Sequence, residues 1–215
     1  MCASFSLQAL LTELLLGLPS APLSAARQVF DDFQYATRYL VDEKYAAPKK
    51  VAIFGGSNGG LLVAACANQA PELFGAVLCA VGVLDMLRFH LFTIGRAWTA
   101  DYGCADEPAD FDYLSAYSPL HNVPAPPAPG TGTVDAPYPP TLLLTGDHDD
   151  RVVPLHSFKH IATLQHTLPN NPNPLLMRVD LKAGHGAGKS TQQAIEEAVD
   201  RWGFVALTMG LQWRN

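Results

Sequence analysis

The sequence predicts an α/β fold: a mainly parallel sheet of about four strands with helices on both faces. Three observations carry that prediction. Apolar runs of strand length alternate with segments whose apolar residues recur at helical spacing. Turn residues close the runs, as Gly55-Gly56 does for the first and Gly146-Asp147 for the third. No internal repeat or linker divides the chain, and strands alternating with helices of this length pair in parallel and are covered on both sides.

The elements follow in order. From Val29 to Tyr45, Phe30, Phe33, Ala36 with Thr37, and Leu40 with Val41 recur at helical spacing, and Pro48 stops the pattern. Val51-Ala52-Ile53-Phe54 is the first strand, and Leu61-Leu62-Val63-Ala64-Ala65 belongs to the helix after it. Ala76 to Val83 reads as a buried strand, followed by a helical pattern near Asp85 to Thr93. Tyr138-Pro139-Pro140 introduces a third strand, Thr141 to Thr145, and Leu175 to Leu181 is a fourth. Helices are predicted over Leu155 to Thr167 and Thr191 to Met209. In the last, Ile195, Ala198 with Val199, Trp202, Val205 with Ala206, and Met209 line one face. Val123 to Pro140 holds seven of the chain's 17 prolines and is expected to be an extended surface connection without regular structure.

At 215 residues, with 48% hydrophobic and 16% charged residues, the chain is long enough to bury the core of one domain. A net charge of −6, a pI near 5.5 and the lack of any basic stripe give no electrostatic footprint for nucleic acid. Cys2, Cys66, Cys79 and Cys104 form neither a C-x-x-C pair nor a regular framework, which fits reduced thiols in a cytoplasmic setting. Leu7 to Leu18 is apolar and precedes small residues from Pro19 to Ala26, as in a secretory signal. Glu13 interrupts it, no basic region precedes it, and it is too short to cross a bilayer. The reading is a divergent leader over 1–26, a domain over 27–215, and no membrane contact.

Gly55-Gly56-Ser57-Asn58-Gly59 lies between the first strand and its helix, the context of a nucleophile elbow, G-x-S-x-G. Small residues beside the serine let strand and helix pass close together and leave the hydroxyl exposed at the strand's C-terminal end. Glycine-rich turns of this kind also serve phosphate binding or tight packing. A serine hydroxyl is a poor nucleophile near neutral pH; it needs a base within hydrogen-bond reach, and a carboxylate to orient that base. Later strand ends supply both. Asp147, Asp149 and Asp150 follow the third strand, and His185 follows the fourth. The order Ser, Asp, His, each at a strand end, is that of the α/β-hydrolase fold. Spacing leaves open which aspartate orients His185. The backbone N–H of Asn58, directly after the serine, is the natural oxyanion donor.

Other readings compete with this one. Ala183 to Ser190 departs only at its first residue from the phosphate-cradling G-x-x-x-x-G-K-[ST], so the loop 183–190 defines a nucleotide-binding alternative. That reading leaves Ser57 unexplained. Asp147-His148-Asp149-Asp150 has only local spacing and no partner cluster, so no metal is expected there.

These residues lie within longer stretches that resemble the C-terminal part of the prolyl oligopeptidase family, serine peptidases that cleave short peptides after proline. The resemblance runs from about Arg27 to the end. It passes through Gly55-Gly56-Ser57-Asn58-Gly59-Gly60, Ala97-Trp98-Thr99-Ala100-Asp101-Tyr102-Gly103-Cys104 and Tyr117-Ser118-Pro119-Leu120-His121-Asn122-Val123. It continues through Thr145-Gly146-Asp147-His148-Asp149-Asp150-Arg151-Val152-Val153-Pro154 and Lys182-Ala183-Gly184-His185-Gly186-Ala187-Gly188-Lys189. It implies Ser57 as nucleophile, His185 as general base and then acid, and Asp149 as the orienting acid. It also implies that Trp98 stacks on the substrate proline ring, that Val83, Tyr102 and Val152 complete an apolar pocket, and that Arg151 binds a peptide carbonyl. No metal or organic cofactor takes part. Proline offers no N–H donor, so its recognition rests on shape and ring contact.

The family also carries a β-propeller over the active site and hydrolase strands before the elbow, neither of which appears in this sequence. The resemblance therefore implies a partial α/β-hydrolase fold whose elbow strand, central in the family, stands at a sheet edge. An open edge seeks a partner strand, so a catalytically silent chain acting by self-association is the alternative function. The loop bearing the family's second oxyanion donor, a tyrosine, falls in the absent part; losing one such donor costs about a hundredfold or more in turnover.

Overall fold

The computed structural model describes residues 24–125, 137–186 and 188–212. Its elements are α1 (Ser24–Asp42), β1 (Ala52–Gly56), α2 (Asn58–Gln69), β2 (Ala76–Ala80), α3 (Thr99–Tyr102), α4 (Pro108–Ser115), β3 (Thr141–Gly146), α5 (Leu155–Thr167), β4 (Leu175–Asp180) and α6 (Thr191–Met209). The strands form one sheet in the order β1-β2-β3-β4, every pair parallel. The predicted α/β class is the observed one, a partial α/β-hydrolase sheet.

Side chains alternate across a strand, and the two faces of the sheet build separate cores. Ile53, Val77, Cys79 and Leu143 join Leu61, Val63, Ala64 and Cys66 of α2 and Leu164 of α5 on one side. Ala76, Leu78, Leu142 and Leu144 meet Phe204, Val205 and Met209 of α6 on the other. Each fully buried leucine, valine or phenylalanine contributes about 1.5–3 kcal/mol. Helix α2 is buried from Gly60 to Asn68, as an almost wholly apolar helix must be. Its one polar residue there, Asn68, is satisfied: its amide donates to the Pro119 carbonyl at 2.9 Å and its oxygen accepts from Tyr138 at 2.8 Å.

Helices α5 and α6 have the predicted bounds, but the inward face of α6 differs from the expected one. Val205 and Met209 are buried with Phe204, whereas Ile195, Val199 and Trp202 are 52%, 64% and 44% exposed. The reason is electrostatic. Glu197 pairs with Lys189 and Arg201, and Lys189 pairs with Asp180 at the end of β4, so ion pairs take the inward side of the first turns. The helix starts at a capping box between Ser190 and Gln193, and Gly210 ends it with φ 66°.

No α-helix forms over Asp85 to Thr93; the backbone makes a turn in which Arg88 and Phe89 N–H donate to the Asp85 carbonyl, then a 3-10 turn at Phe89–Leu91. Side chains capture the local N–H groups instead. Those of Asp85, Met86 and Leu87 donate to His156 Nδ1, Ser118 Oγ and Asp85 Oδ1. The short helices α3 and α4 fall where no helix was expected. β2 stops at Ala80 rather than Val83 because Val81 turns the chain with φ 43°, an uncommon conformation for a β-branched residue. α1 ends at Asp42, short of Tyr45, and Lys44 follows with φ 63°.

Apart from Ser24–Ala26, which lie in α1, the expected leader falls outside the described residues, as do Cys2 and most of the proline-rich segment. The described ends of that segment, 123–125 and 137–140, have no regular structure, but Tyr138 is 4% exposed and packs into the core instead of lying on the surface.

β1 is the edge strand the resemblance implied: among the described residues it pairs with β2 alone. The Val51 carbonyl accepts from Gly75 N–H, and Ser57 N–H donates to the Ala80 carbonyl. Odd positions thus bond inward, and Ala52, Phe54 and Gly56 direct their backbone groups at the open side.

Candidate active site

Ser57 follows β1 with φ 58° and ψ −118°. A non-glycine residue held there is strained by about 1–3 kcal/mol, so its neighbours must fix it. Its N–H donates to Ala80 O at 2.9 Å, and its carbonyl accepts from Gly60 and Leu61 at 3.0 and 3.2 Å and from Val83 at 3.4 Å. Helix α2 begins at the next residue, so the positive end of its dipole and its free N–H groups, that of Asn58 first, face the serine's side of the turn. Of Gly55 and Gly59 only the first is needed for room. A Cβ on Gly55 would stand 2.0 Å from the Gly59 carbonyl oxygen, whereas one on Gly59 would meet nothing within 4 Å.

The histidine arrives from the far edge of the sheet. The loop after β4 folds back across the end of β3: Asp147 N–H donates to Asp180 O, and His148 N–H donates to Ala183 O, each at 3.1 Å. Gly146 permits the crossing, since a Cβ there would stand 2.2 Å from the Ala183 oxygen. His185 is thereby delivered to the turn after β3, its Nδ1 2.8 Å from Asp149 Oδ2. Asp149 is 3% exposed, and its other oxygen accepts the N–H groups of Arg151 and Val152 at 3.0 and 2.9 Å. A carboxylate held by three donors is a rigid support for one imidazole tautomer. Asp147 lies instead against the exposed His148, and Asp150 is exposed. Of the three aspartates, Asp149 is the one in contact with His185. Among the described residues no hydrogen bond joins the Ser57 hydroxyl to His185, which is half-buried.

The expected pocket residues lie around this centre. Val83 is buried and donates its N–H to Ser57 O. The Tyr102 hydroxyl donates to Asn58 Oδ1 at 2.7 Å, and burial pushes the phenol pKa up, so it remains a donor. Val152 is buried beside Asp149, and Arg151 is exposed without an ion pair among the described residues. Sequence reasoning missed Phe89, which lies parallel to Trp98 with centroids 6.3 Å apart and meets Tyr102 edge-on at 5.4 Å. It forms the shelf that joins the two aromatic residues.

A buried polar network was missed as well. Asp85, 1% exposed, binds Lys159 Nζ of α5 at 2.5 Å, with Arg88 and His121 at 3.7 and 3.9 Å. Burial alone would raise the Asp85 pKa; the hydrogen bond and charge of Lys159, helped by His121 and Arg88, outweigh it and hold the carboxyl below its usual range. Burial pushes the neighbouring His156 down to about 4. No sequence spacing signals this network, since its members come from three separate stretches.

The loop 183–190 does not present a free phosphate ligand. Lys189 is held between Asp180 and Glu197; burial would lower its pKa, but these partners raise it. Ser190 and Gln193 occupy each other's backbone groups at the start of α6. Cys66 and Cys79 are buried free thiols, each pushed up to about 12 by burial. A surface hollow of about 580 Å³ between Val41, Tyr45, Pro48 and Leu211 lies before the start of β1, away from the catalytic candidates. No helix among the described residues is long and apolar enough to cross a membrane.

Residues 23–212 match the model of the prolyl oligopeptidase family. The chain is 62% identical over 187 residues to prolyl oligopeptidase A of Galerina marginata, covering 86% of this chain and 24% of that protein. It is 49% identical to the prolyl endopeptidase of Dictyostelium discoideum, covering 85% and 23%. Among solved structures, a prolyl endopeptidase superposes with a TM-score of 0.81 at 47% identity, over 88% of this chain and 27% of that one. Prolyl oligopeptidase B of Galerina marginata, bound to a 35mer hydrolysis and macrocyclization substrate, superposes with a TM-score of 0.77 at 49% identity, over 86% and 25%. The chain spans about a quarter of the length of the curated relatives it matches. A match across nearly the whole chain, on a parallel four-stranded sheet, shows that this chain belongs to the prolyl oligopeptidase family.

Proposed function

We propose that the chain carries the chemistry of a serine endopeptidase cleaving short peptides after proline. The observation that carries this reading is the 2.8 Å contact between His185 Nδ1 and Asp149 Oδ2, in a turn facing the same sheet end as the strained Ser57. Asp149 holds the proton on Nδ1, which leaves Nε2 as the base for the Ser57 hydroxyl once the two side chains meet. The serine oxygen attacks the carbonyl of the proline residue, and the oxyanion is stabilised by the Asn58 N–H at the α2 terminus. His185 then gives its proton to the leaving amine, and water releases the acyl group by the reverse steps. Trp98 offers a ring face to proline, Val83, Tyr102 and Val152 an apolar wall, and Arg151 a cation for a peptide carbonyl. No step calls on a metal or organic cofactor. The buried free thiols fit a reducing, cytoplasmic setting.

A fluorophosphonate probe tests the site. Labelling of the wild type and not of Ser57→Ala supports it, and equal labelling of both removes Ser57 from the mechanism.

The open side of β1 favours a second reading, in which the chain is catalytically silent and self-associates through this edge. Turnover of a proline-containing peptide that vanishes in His185→Ala removes that reading. Nucleotide binding through 183–190 has the weakest support, because Lys189 is already paired with two carboxylates.

A further inference from the structure

We propose that His90, Cys104 and Asp106 form a binding site for a divalent transition-metal ion of the zinc class. The three side chains, from two separate stretches, bring one ligand atom each within 4.8 Å of one another. His90 stands on the 3-10 turn Phe89–Leu91, and Cys104 and Asp106 lie on the turn between α3 and α4. His90 is 5% exposed, yet neither Nδ1 nor Nε2 has a hydrogen-bond partner. A buried imidazole without a hydrogen-bond partner is costly, and a bound ion relieves it. Nε2 lies 3.4 Å from Asp106 Oδ1, without hydrogen-bond geometry. Two ligands keep about that separation on a tetrahedral ion, since bonds of about 2.0–2.1 Å set N and O about 3.3 Å apart.

The donor set selects the ion. Imidazole nitrogen, thiolate sulfur and carboxylate oxygen together suit Zn²⁺, whereas Mg²⁺ and Ca²⁺ take oxygen. One thiolate and one carboxylate balance its two charges, and binding releases the thiol proton. Cys104 is a free, half-buried thiol, and the Asp106 side chain is 69% exposed, so the ion reaches the site from solvent and water fills the fourth position. The turn is already shaped: Cys104 N–H donates to Asp110 Oδ2 at 2.9 Å, and Glu107 N–H donates to Cys104 O at 3.0 Å. Between the ligands runs the stretch carrying Trp98 and Tyr102, and the His90 ring meets Phe89 edge-on at 5.6 Å. A bound ion therefore fastens the stretch that bears the aromatic wall. Metal binding itself does not rest on the peptidase reading.

The test uses the full chain, stripped by a chelator, kept in a thiol-free reductant, and titrated with zinc chloride and separately with cobalt chloride. The expected result is one ion per chain and a thiolate-to-cobalt charge-transfer band in the near ultraviolet. Cys104→Ser abolishes the band, and Asp106→Asn, altering an exposed side chain, weakens zinc binding at least tenfold. No zinc binding by the wild type, no thiolate band, or zinc affinity unchanged in either folded variant overturns the site.

Discussion

The Tyr102 hydroxyl donates to the side-chain oxygen of Asn58 at 2.7 Å, tying the aromatic wall to the residue proposed to offer its backbone N–H to the oxyanion. Tyr102→Phe removes the tie and keeps the ring. It is expected to lower kcat about threefold to tenfold for a proline-containing peptide, because one neutral hydrogen bond contributes about 0.5–1.5 kcal/mol. Steady-state kinetics with a thermal melt check this; an unchanged kcat means that Tyr102 serves the wall alone.

At Asp149 the expectation is larger. Asp149→Asn keeps the shape but no longer selects the Nδ1–H tautomer of His185, and the corresponding change in a serine triad lowers kcat about 10⁴-fold. Slow fluorophosphonate labelling of a variant with a near-normal circular dichroism spectrum is the predicted signature. Labelling at the wild-type rate would remove Asp149 from the mechanism.

Room at the elbow sets a third outcome. A methyl group on Gly55 collides with the Gly59 carbonyl, so Gly55→Ala is expected to cost about 1–3 kcal/mol and to displace Ser57. Gly59→Ala meets no such obstacle. Urea denaturation of the pair should separate them, and equal losses would show that the crossing relaxes freely.

Acid should destabilise the fold through two histidines. Burial pushes both His156 and His160 from 6.5 down to about 4, so each is neutral in the folded protein while the unfolded chain takes up a proton below 6.5. Their contribution is whole above pH 6.5 and is lost as the pH falls towards 4, with a slope of up to ~1.4 kcal/mol per pH unit for each group. His160 Nδ1 has no partner, so His160→Leu should retain more of its neutral-pH stability at pH 5 than the wild type does. Denaturant midpoints at pH 7 and pH 5 measure this, and parallel losses in both proteins would refute it.

Association through the open edge is measurable too. Phe54 is 41% exposed on β1, and Arg201 lies 4.8 Å over its ring. Phe54→Glu places a charge on the edge beside that cation and should shift a concentration-dependent dimer towards monomer in analytical ultracentrifugation. A monomer at every concentration in the wild type argues against the edge as an interface.

What was legible followed from how local the signal was. The strand cores and the bounds of α5 and α6 lie in contiguous apolar runs or helical periods, so periodicity alone placed them. Ser57, the aspartate cluster and His185 stood out because each follows a strand. The proposal of Asp149 needed the resemblance, and what supports it, two backbone N–H groups that fix the carboxylate facing His185, has no signature in the sequence. The turn at Asp85 was illegible because Ser118 and His156, distant in sequence, capture its N–H groups. The outward stripe of Ile195, Val199 and Trp202 was misread for a similar reason: Glu197 is drawn inward by Lys189, and no count of apolar residues along α6 reveals that pull.

The order β1-β2-β3-β4, in which each strand lies beside the next in sequence, also has a kinetic meaning. Ala52 meets Ala76 and Thr141 meets Leu175 across modest lengths of chain, but Val77 must find Thr141 across a far longer one. Closure entropy grows with that length, and distant pairings are slow to form. The sheet therefore divides into two nascent halves, β1-α2-β2 and β3-α5-β4, whose meeting along the middle pair is the natural rate-limiting event in refolding.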